Sequence, residues 1–375
     1  MEDDDRFDIE SDAPSDHSVH NTDSEQSDEE IEDFVPEDES CWGLYITEEM
    51  IAQIVKYTNI YLAKIRPNYT RERDCLDTDT TEMCGFIGLL YMAGLQKSRY
   101  LNTKELWANS IFAPACFRLT MSRERFHLLG RAMRFDDIND RDERKKLDNL
   151  APIREIFEKF VNKCEQNYQV GEYCTVDEML ENFRGRCKFR QYIANKPRLE
   201  NVLPRQPVGP FQLDNSAFAV TMRIASPILN TGRNITLDNY FTSIPLAKEL
   251  LGKRSTLVGT IKKNKREIPA LFINLKRPVP SSMFGFQKDS VLLSYKPKPQ
   301  KNVLMLSTFH AGDQIDPESG DMQKPEMVTF YNLTKGGVDV ADQLKATYSV
   351  SRFCCRWPLR LFFTILDVGA INYNI

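Results

Sequence analysis

The chain has 375 residues, 41% hydrophobic and 27% charged, which fits a globular protein large enough for two or more domains. Its net charge of -5 averages two opposed parts: residues 1–39 carry 18 Asp or Glu against Arg6 alone, leaving 48 Lys or Arg against 36 acids elsewhere. That basic remainder points to a polyanionic partner.

Nine cysteines are scattered without the C-x-x-C pairs that structural zinc sites use, so they read as reduced intracellular thiols. The first residues are acidic and lack the apolar core of a secretory signal. The longest apolar run, Met83 to Leu95, is shorter than the roughly 20 residues that span a bilayer. The expectation is a soluble cytoplasmic or nuclear protein.

Residues 1–40 are rich in Asp, Glu and Ser and too poor in apolar groups to offset the entropy of ordering, so a disordered acidic tail is expected. Within it, Ser27-Asp28-Glu29-Glu30 resembles an acidophilic kinase site. Residues 41–170 read as an all-helical region, with helices over Glu48 to Leu62, Thr81 to Leu95, Ser122 to Phe135 and Ala151 to Cys164. Ser122 offers an N-cap and Pro152 suits a first turn. The charged stretch 135–146 reads as an exposed loop.

After Gly171 the texture becomes short β-type runs: Cys174 to Leu180, Phe189 to Ile193, Asn234 to Leu237, Thr256 to Ile261, Ser290 to Tyr295 and Asn302 to Phe309. Helical patterns at Ala217 to Ala225 and Ser243 to Leu251 lie between them, which argues for a mixed α/β domain. Four prolines, Pro278, Pro280, Pro297 and Pro299, suggest an irregular or hairpin-rich insertion. Beyond Lys335 the chain reads as helical. The divisions are thus 1–40, 41–170, a first core part 171–261, a β-rich insertion with a remaining core strand 262–330, and C-terminal helices 331–375.

Asp177 and Glu178 sit in the middle of an apolar, β-branched run, where carboxylates could hold a divalent cation. Asp238 ends the run Asn234 to Leu237, and Asp339 follows Lys335-Gly336-Gly337-Val338 with Asp342 three residues on, one helical face if a helix begins there. All-oxygen ligation suits Mg²⁺ or Mn²⁺, and two such ions can activate an attacking oxygen and stabilise a leaving one at a phosphodiester. On the residues alone the alternatives stand: Asp238-Asn239 as a plain turn, and Asp339 as a partner of Lys335 or Arg352.

Several ordered stretches resemble the piggyBac-type transposases from about Cys41 onward. They are Thr175 to Glu178 with Phe183-Arg184-Gly185-Arg186-Cys187, Arg233 to Ala247, Leu257 to Pro269, Ser294 to Pro299, and Tyr331 to Asp339 through Asp342-Gln343 to Arg356-Trp357-Pro358. The resemblance implies a multi-domain α+β protein: a helical dimerisation and DNA-binding region and an RNase H-like α/β catalytic core of DDD type. It assigns catalysis to Asp177, Asp238 and Asp339, with Asp342 as a fourth metal ligand and two Mg²⁺ or Mn²⁺ ions. It further implies cleavage and strand transfer at transposon ends with TTAA targets, a homodimer on double-stranded DNA, a nuclear location, and neither a membrane nor a small-molecule substrate.

Two departures qualify that expectation. Asn195-Lys196-Pro197 reaches Gln206-Pro207-Val208-Gly209-Pro210 after eight residues, so the core reads as shortened by about a strand after Asp177. The chain also ends at Ile375, before the zinc-binding module usual in the family, so that module is expected to be absent. A catalytically inactive, transposase-derived DNA-binding or protein-interaction protein is the alternative reading. The basic runs Arg184, Arg186, Lys188, Arg190 and Lys262, Lys263, Lys265, Arg266 are candidate DNA contacts, with solvated surface charge as the plainer reading.

Overall fold

The computed structural model describes residues 41–179, 181, 183, 185–187, 206–274 and 276–373. The acidic tail, the run Phe189 to Ile193 and the shortened interval therefore lie outside the described residues, as do Arg184, Lys188 and Arg190. The chain divides into two units, one comprising residues 1–167, 182–190 and 344–375, the other 168–181 and 191–343.

The first unit is helical: α1 (Glu48–Ile65), α2 (Thr80–Leu95), α3 (Thr103–Leu106), α4 (Ala115–Thr120), α5 (Arg123–Ala132), α6 (Arg141–Leu147) and α7 (Arg154–Asn167). Local chemistry sets the helix starts. Thr47, Asp79 and Ser122 each accept a hydrogen bond from a backbone N–H three residues on, satisfying donors that the first turn leaves free. Met50, Ile54, Phe86, Leu90, Phe126, Phe135, Phe362 and Phe363 form its core. The C-terminal end of α5 is closed by Arg356, whose guanidinium donates to the carbonyls of Arg131 at 2.8 Å and Met133 at 2.6 Å.

The stretch 135–146 is not the exposed loop its charge suggests. Asp136 is buried and accepts from Arg141, also buried, at 2.6 Å, and from Arg144 at 2.7 Å. Asp136, ahead of α6, draws in Arg141 and Arg144, three residues apart on the helix, and these charge-assisted bonds fix the start of α6.

The second unit is a mixed α+β layer structure, in line with the expected fold class. Its six-stranded sheet has the order β1-β2-β3-β6-β5-β4. The strands are β1 (Tyr173–Val176), β2 (Asn234–Leu237), β3 (Thr256–Thr260), β4 (Ser281–Gln287), β5 (Ser290–Lys298) and β6 (Lys301–Ser307). The first three run parallel and the other pairs antiparallel. Helices α8 (Ala217–Ala225), α9 (Ile244–Gly252), α10 (Ala270–Ile273) and α11 (Glu326–Thr334) belong to this unit, and α12 (Gly337–Thr347) leads back toward α13 (Trp357–Tyr373).

The side-chain alternation of β1 to β3 separates two faces. Val176, Ile235, Leu237 and Leu257 pack with Val220 of α8 and Leu246 and Leu250 of α9. Val258 on the other face packs with Met327 and Val328 of α11. That second face also carries Thr175 and Thr236, two residues before Asp177 and Asp238.

Candidate active site

Three parallel strands end at one edge of the sheet. Val176 and Leu237 are register partners, so the next residues, Asp177 and Asp238, leave adjacent strands side by side. Asp238 follows the last residue of β2, as the sequence suggests, whereas Asp177 follows β1 instead of lying within it, because β1 stops at Val176, well before Leu180. Like charges directly opposite one another are unfavourable unless a proton or a cation stands between them.

The backbone fixes both acids. Asp238 Oδ1 accepts from the Tyr240 N–H at 2.8 Å and the Phe241 N–H at 3.2 Å, so it does make the turn that its sequence allowed. The same turn places Thr242, whose hydroxyl donates to the Asp238 carbonyl at 2.7 Å. Asp177 Oδ1 accepts from the Glu178 N–H at 2.8 Å.

One oxygen each from Asp177, Glu178 and Asp238 lies within 4.8 Å of the other two, all half-buried. Burial first, then hydrogen bonding and repulsion from Asp177 and repulsion from Asp238, push the Glu178 carboxyl up to about 7. A donor set made only of carboxylates that repel one another fits a hard divalent cation. Oxygens about 2.1 Å from a Mg²⁺ stand at most about 4.2 Å apart, so side-chain adjustment alone would close this group on an ion.

Asp339 and Asp342 are not in that group. Asp339 is exposed on the first turn of α12, and Asp342, half-buried, lies one turn on. The charges of Asp177, Asp238 and Asp339 all act on Tyr331 of α11. Its phenol is pushed up by burial, lowered by a hydrogen bond with Thr260, and raised further by the carboxylates of Asp238, Asp177 and Asp339. The sequence offers Glu178 beside Asp177 as a cation-holding carboxylate, although the family resemblance assigns it no place among the ligands, and nothing in the sequence points to Tyr331. Only folding brings α11 across β1 and β3.

The basic candidates divide. Lys262, Lys263 and Arg266 are exposed and Lys265 half-buried, immediately after β3. Lys262 stands over the ring of exposed Tyr240, 5.0 Å from its centroid, at the same sheet edge as Asp238. Arg186 is exposed but belongs to the helical unit. His127 and His310 bond the hydroxyls of Thr103 and Ser307, each at 2.9 Å, as structural histidines do.

The pattern that defines a family described as Transposase IS4 matches residues 42–201 and 204–373. A cryo-EM structure of the piggyBac transposase synaptic complex with hairpin DNA is similar at a TM-score of 0.82 and 37% identity, over 89% of this chain and 73% of that one. The chain is a piggyBac-type transposase family member.

Two human piggyBac relatives are 21% identical over 87% of the chain: PiggyBac transposable element-derived protein 3 and the Chimeric ERCC6-PGBD3 protein. The chain spans 59% of the first and 33% of the second. Against this piggyBac background, no helix among the described residues is long and apolar enough to cross a membrane.

Proposed function

We propose that the chain is a DNA transposase, or a domesticated derivative of one, that cleaves and joins phosphodiesters at transposon ends with TTAA targets through an RNase H-like core. The observation that carries this reading is the convergence of Asp177, Glu178 and Asp238 at the ends of adjacent parallel strands. Asp177 and Asp238 would share one Mg²⁺ or Mn²⁺, while Asp339 and Asp342 of α12 would complete a second position. Bound there, the ions would supply an activated oxygen nucleophile and stabilise the leaving oxygen.

The protein's own groups do the remainder. The turn at Tyr240 and Phe241 holds Asp238 in its orientation, and the Tyr331 phenol, kept neutral by its surroundings, can donate a hydrogen bond into the acid cluster. Lys262, Lys263 and Arg266 offer cations to the DNA backbone at that edge. Double-stranded DNA is the substrate in this reading, a homodimer the working form and the nucleus its place.

A second reading, a catalytically inactive DNA-binding or protein-interaction derivative, draws on one observation: β1, which leads into Asp177, is the sheet edge among the described residues. The two readings part in one experiment. Duplexes carrying transposon-end sequence flanked by TTAA are incubated with Mg²⁺ or Mn²⁺ and the chain, Asp177→Ala or Asp238→Ala. Metal-dependent cleavage lost in both variants supports the enzyme; binding without cleavage by the parent chain supports the derivative. Cleavage unaffected by either substitution overturns the site assignment.

A further inference from the structure

The acids of the proposed centre come from three separate elements, and the described structure contains one point at which those elements are tied. One residue before the end of each of β1 and β2, on the face that packs against α11, stand Thr175 and Thr236, which are register partners. Both reach Thr334, the last residue of α11. The Thr175 hydroxyl donates to the Thr334 backbone carbonyl, and the Thr236 hydroxyl donates to Thr334 Oγ1 at 2.8 Å. Thr334 Oγ1 in turn donates to the Phe330 carbonyl at 2.9 Å, so its acceptor side is left facing Thr236. Beyond Lys335 and Gly336 the chain turns directly into α12, and a Cβ at Gly337 would stand 3.4 Å from Thr175 Oγ1. Asp339 follows two residues later.

We propose that Thr334 is the positioning residue of the centre, through which the strands bearing Asp177 and Asp238 are locked to the helical turn that delivers Asp339. The inference rests on the metal-dependent reading above and deepens it. Magnitudes favour it over a purely local role. The threonine row lies two residues, about 6.6 Å, from the carboxylate row. A slip of α11 by a single residue would displace its C-terminal end, from which the turn into α12 and Asp339 departs, by about 1.5 Å, well beyond the roughly half-ångström tolerance of a working site. The same helix carries Tyr331, one turn back, so a shift at Thr334 also moves the phenol whose pKa the charges of all three acids raise.

The test uses Mn²⁺ binding by the full 375-residue chain, followed by electron paramagnetic resonance, beside thermal unfolding of each variant. Thr334→Val keeps the shape and removes the hydroxyl, and should weaken Mn²⁺ binding roughly tenfold, the loss typical of a group that orients metal ligands. Thr334→Ser retains the hydroxyl and should bind within about twofold of the parent chain. Thr236→Val removes the same hydrogen bond from the strand side, so the Thr236→Val/Thr334→Val pair should be no weaker than the worse single variant. Should Thr334→Val unfold, Thr236→Val alone still decides: parent-like Mn²⁺ affinity in that variant overturns the inference. Parent-like binding by folded Thr334→Val, with binding lost in Asp177→Ala, overturns the positioning role and leaves the metal centre standing. Parent-like binding by Asp177→Ala overturns the metal centre, and the inference with it.

Discussion

At Gly259 the strand beside Asp238 has no room for a methyl group. A Cβ there would stand 2.7 Å from the Leu237 carbonyl oxygen and closer still to the Thr242 hydroxyl, which anchors the Asp238 turn. Gly259→Ala is expected to lower stability by about 1–3 kcal/mol, read from urea denaturation. His127 offers a pH signature at the same scale. Burial, followed by the charges of Arg123, Arg131 and Arg352, holds its imidazole below the ordinary 6.5. The folded state therefore binds fewer protons than the unfolded one: the contribution is present above pH 6.5 and is lost as pH falls below it. Denaturation across pH 5 to 8 should show this decline, and His127→Gln should flatten it.

Among elements, α6 shows how charge can build structure instead of staying solvated. Asp136 and Arg141 are buried together, so Asp136→Ala leaves a buried guanidinium without its carboxylate and should cost about 3–5 kcal/mol. An unchanged urea midpoint would mean that the pair is exposed in solution. The alternation of acids and bases over 135–146 reads as polar surface because periodicity reports charge and not its partner. Helices α1, α2 and α8 and strand β2 were legible because their caps and apolar spacing are local. By contrast, α11 follows Pro325 with Val, Thr, Phe and Tyr, residues that favour strands when read alone. It is helical because Met327 and Val328 pack on the sheet. Strand β4, with Gly285 in its middle, is defined by its pairing with β5.

For the whole molecule, the separation of charge along the chain carries the clearest consequence. If Lys262, Lys263 and Arg266 each neutralise a phosphate, non-specific DNA affinity should fall roughly fortyfold between 50 and 200 mM salt. Fluorescence anisotropy with a random duplex measures this, and salt-independent binding would contradict a phosphate-directed basic surface.

The family and the mixed fold class were written in the sequence, because ordered motifs such as Thr236-Leu237-Asp238-Asn239 keep their residue types and spacing along the chain. The tertiary structure alone decided which acids meet. Asp177 and Asp238 are brought together by a parallel register across 60 residues of intervening chain, Glu178 joins them, and Asp339 lies outside the cluster on α12. Tyr331 and Thr334 gain their places because α11 lies over β1 and β3. Contacts between residues far apart in sequence are set by packing, and no local pattern encodes them.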